Sequence, residues 1–232
     1  MGTAFKWTLI SVLFLPGCFS GPTSIPISNT LTTDVRLMQD THTRTGHNHP
    51  YTITADAMAK VLSGVQVEER DTITGIGIFG SKEGKPAFTR TEIANVSPHL
   101  VDALRKASPK DLATFYMYVN DGHQRRAVTS GGIFIDDNHL HVILANWRSV
   151  PSGGQDYTIA MEVDTRDDPL LPISPFRFRV GFYPTEAWVR NRSERYDPGF
   201  PAYHSTYEDP AKYVVIDLKV LLTPGSSNLP AP

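Results

Sequence analysis

Apolar residues in the stretch 54–65 recur at the spacing of one helix face. Four of them, at i, i+3, i+4 and i+7, form the stripe: Met58, Val61, Leu62 and Val65. Thr54 stands where a side-chain oxygen caps a helix N-terminus, and Gly64 is expected to limit the helix length. The pattern predicts a short helix with one buried side.

A second helix is predicted to begin at Ser97, with Ser97 as its cap and Pro98 at the first helical position. Proline is favoured there because an N–H at that position has no partner within the helix. The apolar side of this helix consists of Leu100, Val101, Leu104 and Ala107. Pro109 is expected to end it. A separate turn is predicted at Thr89, which has capping-box spacing to Glu92.

Most of the remaining pattern alternates as strands do, and three hairpins can be put in register from it. Their turns are Asp137-Asn138, the loop 120–126, and the segment 151–154. The opposed pairs that follow are Ile135–Leu140, Ile133–Val142, Val119–Ala127, Phe115–Gly131, Val142–Val163 and Leu144–Met161. A strand is also predicted at Phe176–Phe182, a last strand at Tyr213–Leu222, and a surface excursion over 185–212.

These registers place one apolar set on a single sheet face. The set is Phe115, Met117, Val119, Ile133, Ile135, Leu140, Val142, Leu144, Ile159, Met161 and Val163. A one-residue slip would turn the whole set away from the core, so the agreement between the hairpins supports the register. We therefore predict an α+β fold, a largely antiparallel meander with two short helices covering one face.

The N-terminus carries a charge at Lys6 and then an apolar run over 7–15, the length of a signal-peptide core. The run ends in Leu15-Pro16-Gly17-Cys18. This ending resembles the lipobox of bacterial lipoproteins, in which the signal is cut before the cysteine and the cysteine is acylated. The resemblance implies a signal peptide over 1–17 and a lipid anchor, palmitate included, on Cys18. The alternative is an ordinary secretory signal that leaves a free cysteine.

The resemblance also implies a location. In such lipoproteins an Asp after the cysteine commonly retains the protein in the inner membrane, and Phe19 stands there instead. Its presence implies the outer membrane, facing the periplasm. We predict a flexible tether over 18–47 reaching roughly 30 Å, a single domain over 48–222 and a disordered tail over 223–232.

Composition narrows the class of partner. Of 232 residues, 22 are basic and 24 acidic, and loss of Lys6 with the signal leaves 21 basic residues and a net charge of −3. No concentrated basic face is evident, so a nucleic-acid partner is not expected. Cys18 is the only cysteine, so once acylated it leaves none for a disulfide or a thiolate metal site.

The other side of the predicted sheet, here called the second face, carries the candidate chemistry. It is predicted to hold Tyr116, Tyr118, Val128, Phe134, Ile143 and Trp147, together with His139, His141, Glu162 and Asp164. One interpretation is a second core surface, covered by the excursion or the last strand. The other is a ligand groove, with Tyr116, Tyr118, Phe134 and Trp147 as its binding residues.

His139 and His141 point the same way, and the register sets Asp136 opposite the first and Asp164 opposite the second. His139, His141 and Asp164 are therefore a candidate zinc site, and surface histidine–carboxylate pairs are the alternative. A Gly-x-Ser-x-Gly elbow for nucleophilic catalysis does not occur.

We expect a non-enzymatic binding or scaffolding role in the cell envelope. The expected partners are the membrane, reached through the lipid, and another envelope protein or a glycan, with no cofactor. The alternative is a divalent-metal-binding protein, or a metal-dependent envelope hydrolase, that uses the His139/His141 face.

Overall fold

The computed structural model describes residues 24–41, 43, 45–69, 84–120, 126–150, 165–173, 178–189 and 212–223. The strands in these ranges are β1 (Ser24–Asn29), β2 (Thr33–Gln39), β3 (Val65–Glu69), β4 (Lys85–Pro86), β5 (Asp111–Asn120), β6 (Arg126–Asp136), β7 (His139–Ser149), β8 (Phe178–Phe182) and β9 (Tyr213–Asp217). The helices are α1 (Ala55–Gly64), α2 (Arg90–Lys106) and α3 (Leu218–Leu222). Single 3-10 turns occur at Thr165–Asp167 and Thr185–Ala187.

Two antiparallel sheets and the helices share one core, which confirms the α+β fold. The larger sheet has the order β1-β2-β5-β6-β7-β9, and the smaller has the order β4-β3-β8. Helix α2 packs on β2, β5 and α1, so the helices lie on one side of the larger sheet. The buried side of the smaller sheet, including Phe178, Val180 and Phe182, joins the same cluster.

The first two predicted hairpins are confirmed. Ile135 lies opposite Leu140, and Val119 lies opposite Ala127, in the predicted registers. Asp137 and Asn138 have φ of 47° and 64°, the left-handed values that a two-residue hairpin turn requires. The described members of the predicted apolar face are all buried: Phe115, Met117, Val119, Ile133, Ile135, Leu140, Val142 and Leu144. Ile159, Met161 and Val163 lie outside the described residues.

The third predicted pairing is wrong at Val142, because β7 pairs with β9 there, whereas Met161, the predicted partner of Leu144, lies outside the described residues. Val142 lies opposite Val214, and His141 lies opposite Val215. The prediction assumed that the next strand along the chain would be the next strand in the sheet. Strand β9, which is apolar and lies far along the chain, pairs with that edge of β7 instead. The alternation of apolar and polar residues does not show which of the two strands will pair there.

The tether prediction is wrong for residues 24–39, which form β1 and β2. Strand β2 pairs with β5 over seven positions, from Thr33 opposite Met117 to Gln39 opposite Asp111. Val35 and Leu37 face the helices and are buried. The domain therefore extends at least to Ser24 rather than beginning at residue 48.

Helix α1 is confirmed with its predicted cap, since the Thr54 side chain accepts a bond from the Ala57 N–H. The Ser97 start of the second helix is wrong. Helix α2 begins at Arg90 behind the Thr89–Glu92 capping box and continues through Pro98. Helix α2 has buried residues both before and after Pro98, so the packing of the whole helix outweighs the helix-breaking effect of this proline. They are Ile93, Val96, Ser97, Leu100, Ala103 and Leu104.

The last strand ends earlier than predicted, because residues 218–222 form α3. The Asp217 carboxylate accepts a bond from the Val220 N–H and caps this short helix. The predicted strand at 176–182 is β8 over its described part, Phe178–Phe182. Of the excursion, residues 185–189 and 212 are described, and Val189 donates its N–H to Val215 O on β9.

Candidate functional site

The second face of the larger sheet is polar along β2 and aromatic along β5. Asp34 lies opposite Tyr116, and Arg36 lies opposite Thr114. Tyr116 is buried and Tyr118 is half-buried, with ring centroids 5.3 Å apart in an edge-to-face arrangement. Two of the four predicted ligand-binding residues therefore lie side by side on this face.

A segment that sequence analysis did not single out crosses this face, and we call residues 165–173 the strap. The Asp167 carboxylate accepts a bond of 2.9 Å from Arg36, and Pro169 O accepts one of 2.6 Å from Ser130 Oγ. Leu170 is buried in a small apolar cluster on this face, with Leu112, Phe134, Ile143 and Ala145. The strap therefore covers part of the second face with both polar and apolar contacts.

Asn146 binds the far end of the strap. Its Nδ2 donates to Ser130 Oγ and to Leu171 O, each at 2.8 Å, and its Oδ1 accepts from the Ile173 N–H at 2.8 Å. Asn146 and Ser130 are buried. Buried polar groups are stable when their hydrogen bonds are made, and here those bonds are made to the strap.

Arg36 joins the strap to β2, the second strand of the larger sheet. Its guanidinium donates to both carboxylate oxygens of Asp34, at 3.2 and 2.5 Å, as well as to Asp167. The hydrogen bond to Asp34 raises the pKa of Arg36 above its usual value, although burial acts in the opposite direction. A buried guanidinium with two carboxylate partners is compensated within the protein and holds the strap in place.

The last strand, one of the two predicted covers of the second face, does not cover it. The last strand lies within the sheet, beside β7, and the observed cover is the strap. Residues 190–211 of the excursion lie outside the described residues.

Trp147 does not lie on the second face. It packs in the main core, 6.3 Å from the Phe178 ring, and its indole N–H donates to Ala87 O at 3.0 Å. The cause is a register shift in the β6–β7 pair, where Gly131 lies opposite Leu144 but Ser130 lies opposite Asn146. Such bulges place two consecutive residues on one side and turn the next residue over.

Phe134 is buried between two histidines. Its ring centroid lies 4.3 Å from that of His47 and 4.4 Å from that of His141, with the His141 ring nearly parallel. His141 Nδ1 hydrogen-bonds the Tyr213 hydroxyl, and His47 Nε2 lies 2.9 Å from an Asp40 oxygen. The Phe134 side chain is therefore part of an internal stack. It is only 5% exposed and does not line an open groove.

The two histidines of the predicted zinc site have different surroundings. His139 Nε2 lies 4.0 Å from an Asp217 oxygen near the surface, whereas His141 is buried against Phe134. Asp164 lies outside the described residues, although Val215 occupies its predicted place opposite His141. Within the described ranges no group of three or more His, Cys, Asp or Glu residues is arranged to hold a metal. Zinc at His139, His141 and Asp164 stays a prediction.

His49, beside the end of β6, is a buried histidine with a lowered pKa. It is 6% exposed, and its Nε2 accepts a bond of 3.1 Å from the Ile135 backbone N–H. Burial lowers the pKa of His49 to about 4, with the charge of His47 acting in the same direction. The predicted boundary between tether and domain ran between His47 and Asn48, so their packing onto the sheet was not foreseen.

None of the three helices in the described ranges is long and apolar enough to cross a bilayer. Comparison with protein-family models, with curated proteins and with solved structures gives no match to this chain.

Proposed function

We propose that the protein is a lipid-anchored domain of the bacterial cell envelope that binds or scaffolds another envelope component. The signal over 1–17 and the Leu15-Pro16-Gly17-Cys18 ending support export and acylation at Cys18. Phe19 supports placement on the outer membrane, facing the periplasm.

The observation that carries the non-catalytic part of the proposal is the strap across the second face. A catalytic acid, base or nucleophile must come within hydrogen-bond reach of its substrate. Ser130, Asn146 and Arg36 are instead buried, and their hydrogen bonds hold the strap. The same contacts make this side of the sheet a rigid support, which suits a domain that presents its outer surface to a partner.

The length of chain between the anchor and the fold supports a partner close to the membrane. Five residues separate Cys18 from Ser24, where β1 begins. A fully extended chain covers at most ~3.6 Å per residue, so this link reaches about 20 Å. The edge strand β1 would thus be held nearer the lipid than the predicted tether over 18–47 would allow, within range of a membrane-proximal protein or glycan.

Replacing Cys18 with Ala is expected to move the protein from the membrane fraction to the soluble fraction. Intact-mass measurement of the wild-type protein should find the N-terminus at Cys18 with acyl chains attached. Phe19→Asp is the matched control, since it should keep the acylation and shift the protein to the inner membrane. An unmodified thiol on the mature wild-type protein would refute the anchor.

A further inference from the structure

The edge of β6 changes partner near its C-terminal end. Strand β5 pairs with β6 from Asn120–Arg126 to Ala113–Ile133. At Ile135 the partners come instead from residues 47–49, which we call the latch. The Asn48 N–H donates to Ile135 O at 2.8 Å, and the Ile135 N–H donates to His49 Nε2 at 3.1 Å. An imidazole nitrogen thus accepts a bond that a backbone carbonyl would accept in a regular sheet.

Two further contacts fix the latch on either side of His49. Asn48 Oδ1 accepts a bond of 2.9 Å from the Asp137 N–H in the β6–β7 turn, and the His47 N–H donates to Pro109 O at 2.6 Å. The latch therefore closes the end of the sheet through a small number of hydrogen bonds. One of them depends on the protonation state of a side chain.

The bond to His49 requires a neutral ring. A protonated imidazole carries N–H donors at both nitrogens and has no acceptor, so protonation at Nε2 turns the Ile135 N–H and His49 into two facing donors. His49 is also 94% buried, so the new charge would be poorly solvated.

The charged groups around His49 do not remove this penalty. The His47 ring centroid lies 5.6 Å from that of His49, and His47 is itself paired with Asp40. Asp111, at the start of β5, favours the charged form of His49, while Asp136 lies at the end of β6 and Asp137 in the turn that follows. Burial outweighs the attraction of Asp111, and the pKa of His49 falls to about 4.

We infer that the latch is an acid-sensitive closure, in which protonation of His49 releases residues 47–49 from Ile135 while the centre of the sheet stays paired. Release would also remove His47 from the ring of Phe134, so acid would uncover an apolar side chain at this end of the second face. This device does not depend on the lipid anchor.

The direction and size of the effect follow from proton linkage. The closed latch binds a proton with a pKa of about 4, and an open latch binds it at the ordinary value of about 6.5. The stabilisation of the closed state by neutral His49 is therefore complete above pH 6.5, and it is lost as the pH falls towards 4. These values give a rise of about 30-fold in the opening equilibrium at pH 5 relative to pH 8.

Amide hydrogen exchange of the full chain, corrected for the intrinsic rate at each pH, tests the inference. Protection at Asn48 and Ile135 should fall about 30-fold between pH 8 and pH 5, while Val142 and Leu144 in the centre of the sheet change little. In His49→Gln, whose side-chain oxygen can accept the same bond without titrating, protection should vary by less than about threefold. His99→Gln on α2 is the matched control and should behave as the wild type does.

Constant protection in the wild type would overturn the inference, as would an equal fall in His49→Gln. An equal loss at Val142 and Leu144 would show general acid unfolding instead of a latch. If His49→Gln does not fold, the imidazole nitrogen shifts of wild-type His49 provide the second test. A midpoint near 4, with Ile135 protection that falls from about pH 6.5 and levels off below that midpoint, supports the latch, and a midpoint near 6.5 contradicts it.

Discussion

A chain that begins at Asn48 is expected to lose cooperative unfolding, whereas a chain that begins at Ser24 keeps it. The shorter chain lacks β1 and β2, so β5 loses its partner along seven positions and becomes an edge. Val35 and Leu37 are removed from the core, and burial of each such side chain contributes about 1.5–3 kcal/mol. Domains of this size are stable by only about 5–15 kcal/mol, so the loss of an entire buried strand is decisive.

Urea unfolding followed by circular dichroism compares the two chains directly. The chain that begins at Ser24 should show one sharp transition, and the chain that begins at Asn48 should show a broad slope or none. Equal midpoints and slopes for the two would mean that β1 and β2 add nothing to the fold.

The failure to foresee β2 has an identifiable cause in the sequence. The buried Val35 and Leu37 alternate with Asp34 and Arg36, and a charged pair in a short segment is typical of an exposed stretch. In the folded chain these two charges bind each other on the second face at 2.5 Å. The pattern of apolar and polar residues along the chain does not show that Asp34 and Arg36, two residues apart, will neutralise each other.

The second large effect is expected at Gly131 on β6, where replacement by Ala should cost about 3 kcal/mol or more. A Cβ there would lie 2.0 Å from the Ile143 carbonyl oxygen and 3.0 Å from the Phe115 ring. The carbonyl belongs to the neighbouring strand and can move only if the sheet distorts.

Gly132 is the matched control, one residue along the same strand. A Cβ there would meet Leu170 at 3.4 Å, an ordinary contact, so Gly132→Ala should change the free energy of unfolding by less than about 1 kcal/mol. Both values come from the urea midpoint of each variant. Equal costs would show that the β6–β7 register, and with it the bulge at Asn146, is misplaced.

Sequence patterns predicted the elements whose partners are local. The Asp137-Asn138 turn and the apolar alternation on both sides fix the β6–β7 register, because a slip would expose the whole apolar set. Helix α1 likewise follows from one stripe and one cap. The pairing of β9 with β7 joins segments far apart in the chain, and alternation does not specify which of two apolar strands fills an edge.

The candidate site was harder to predict because it depends on two irregular features. The bulge at Ala145 and Asn146 turns Trp147 into the main core, and no apolar alternation marks such an insertion in advance. The strap consists of polar and proline-containing sequence that resembles an ordinary loop. The buried side chains that meet it, Asn146 and Ser130 among them, show that it belongs to the fold.

The central claim is that the strap covers the second face over Ser130 and Asn146, and the reactivity of a single thiol at Ser130 tests it most directly. In a Cys18→Ala background no other thiol is present, so Ser130→Cys and Leu171→Cys each carry one reporter. Ser130 is fully buried under the strap, while Leu171 on the strap is 42% exposed. We predict that a thiol reagent modifies Cys at 130 at least about 100-fold more slowly than at 171 in the folded protein, with equal rates in urea. Equal rates in the folded protein would contradict the account, since they would show that the strap opens readily and that the second face is accessible to a ligand.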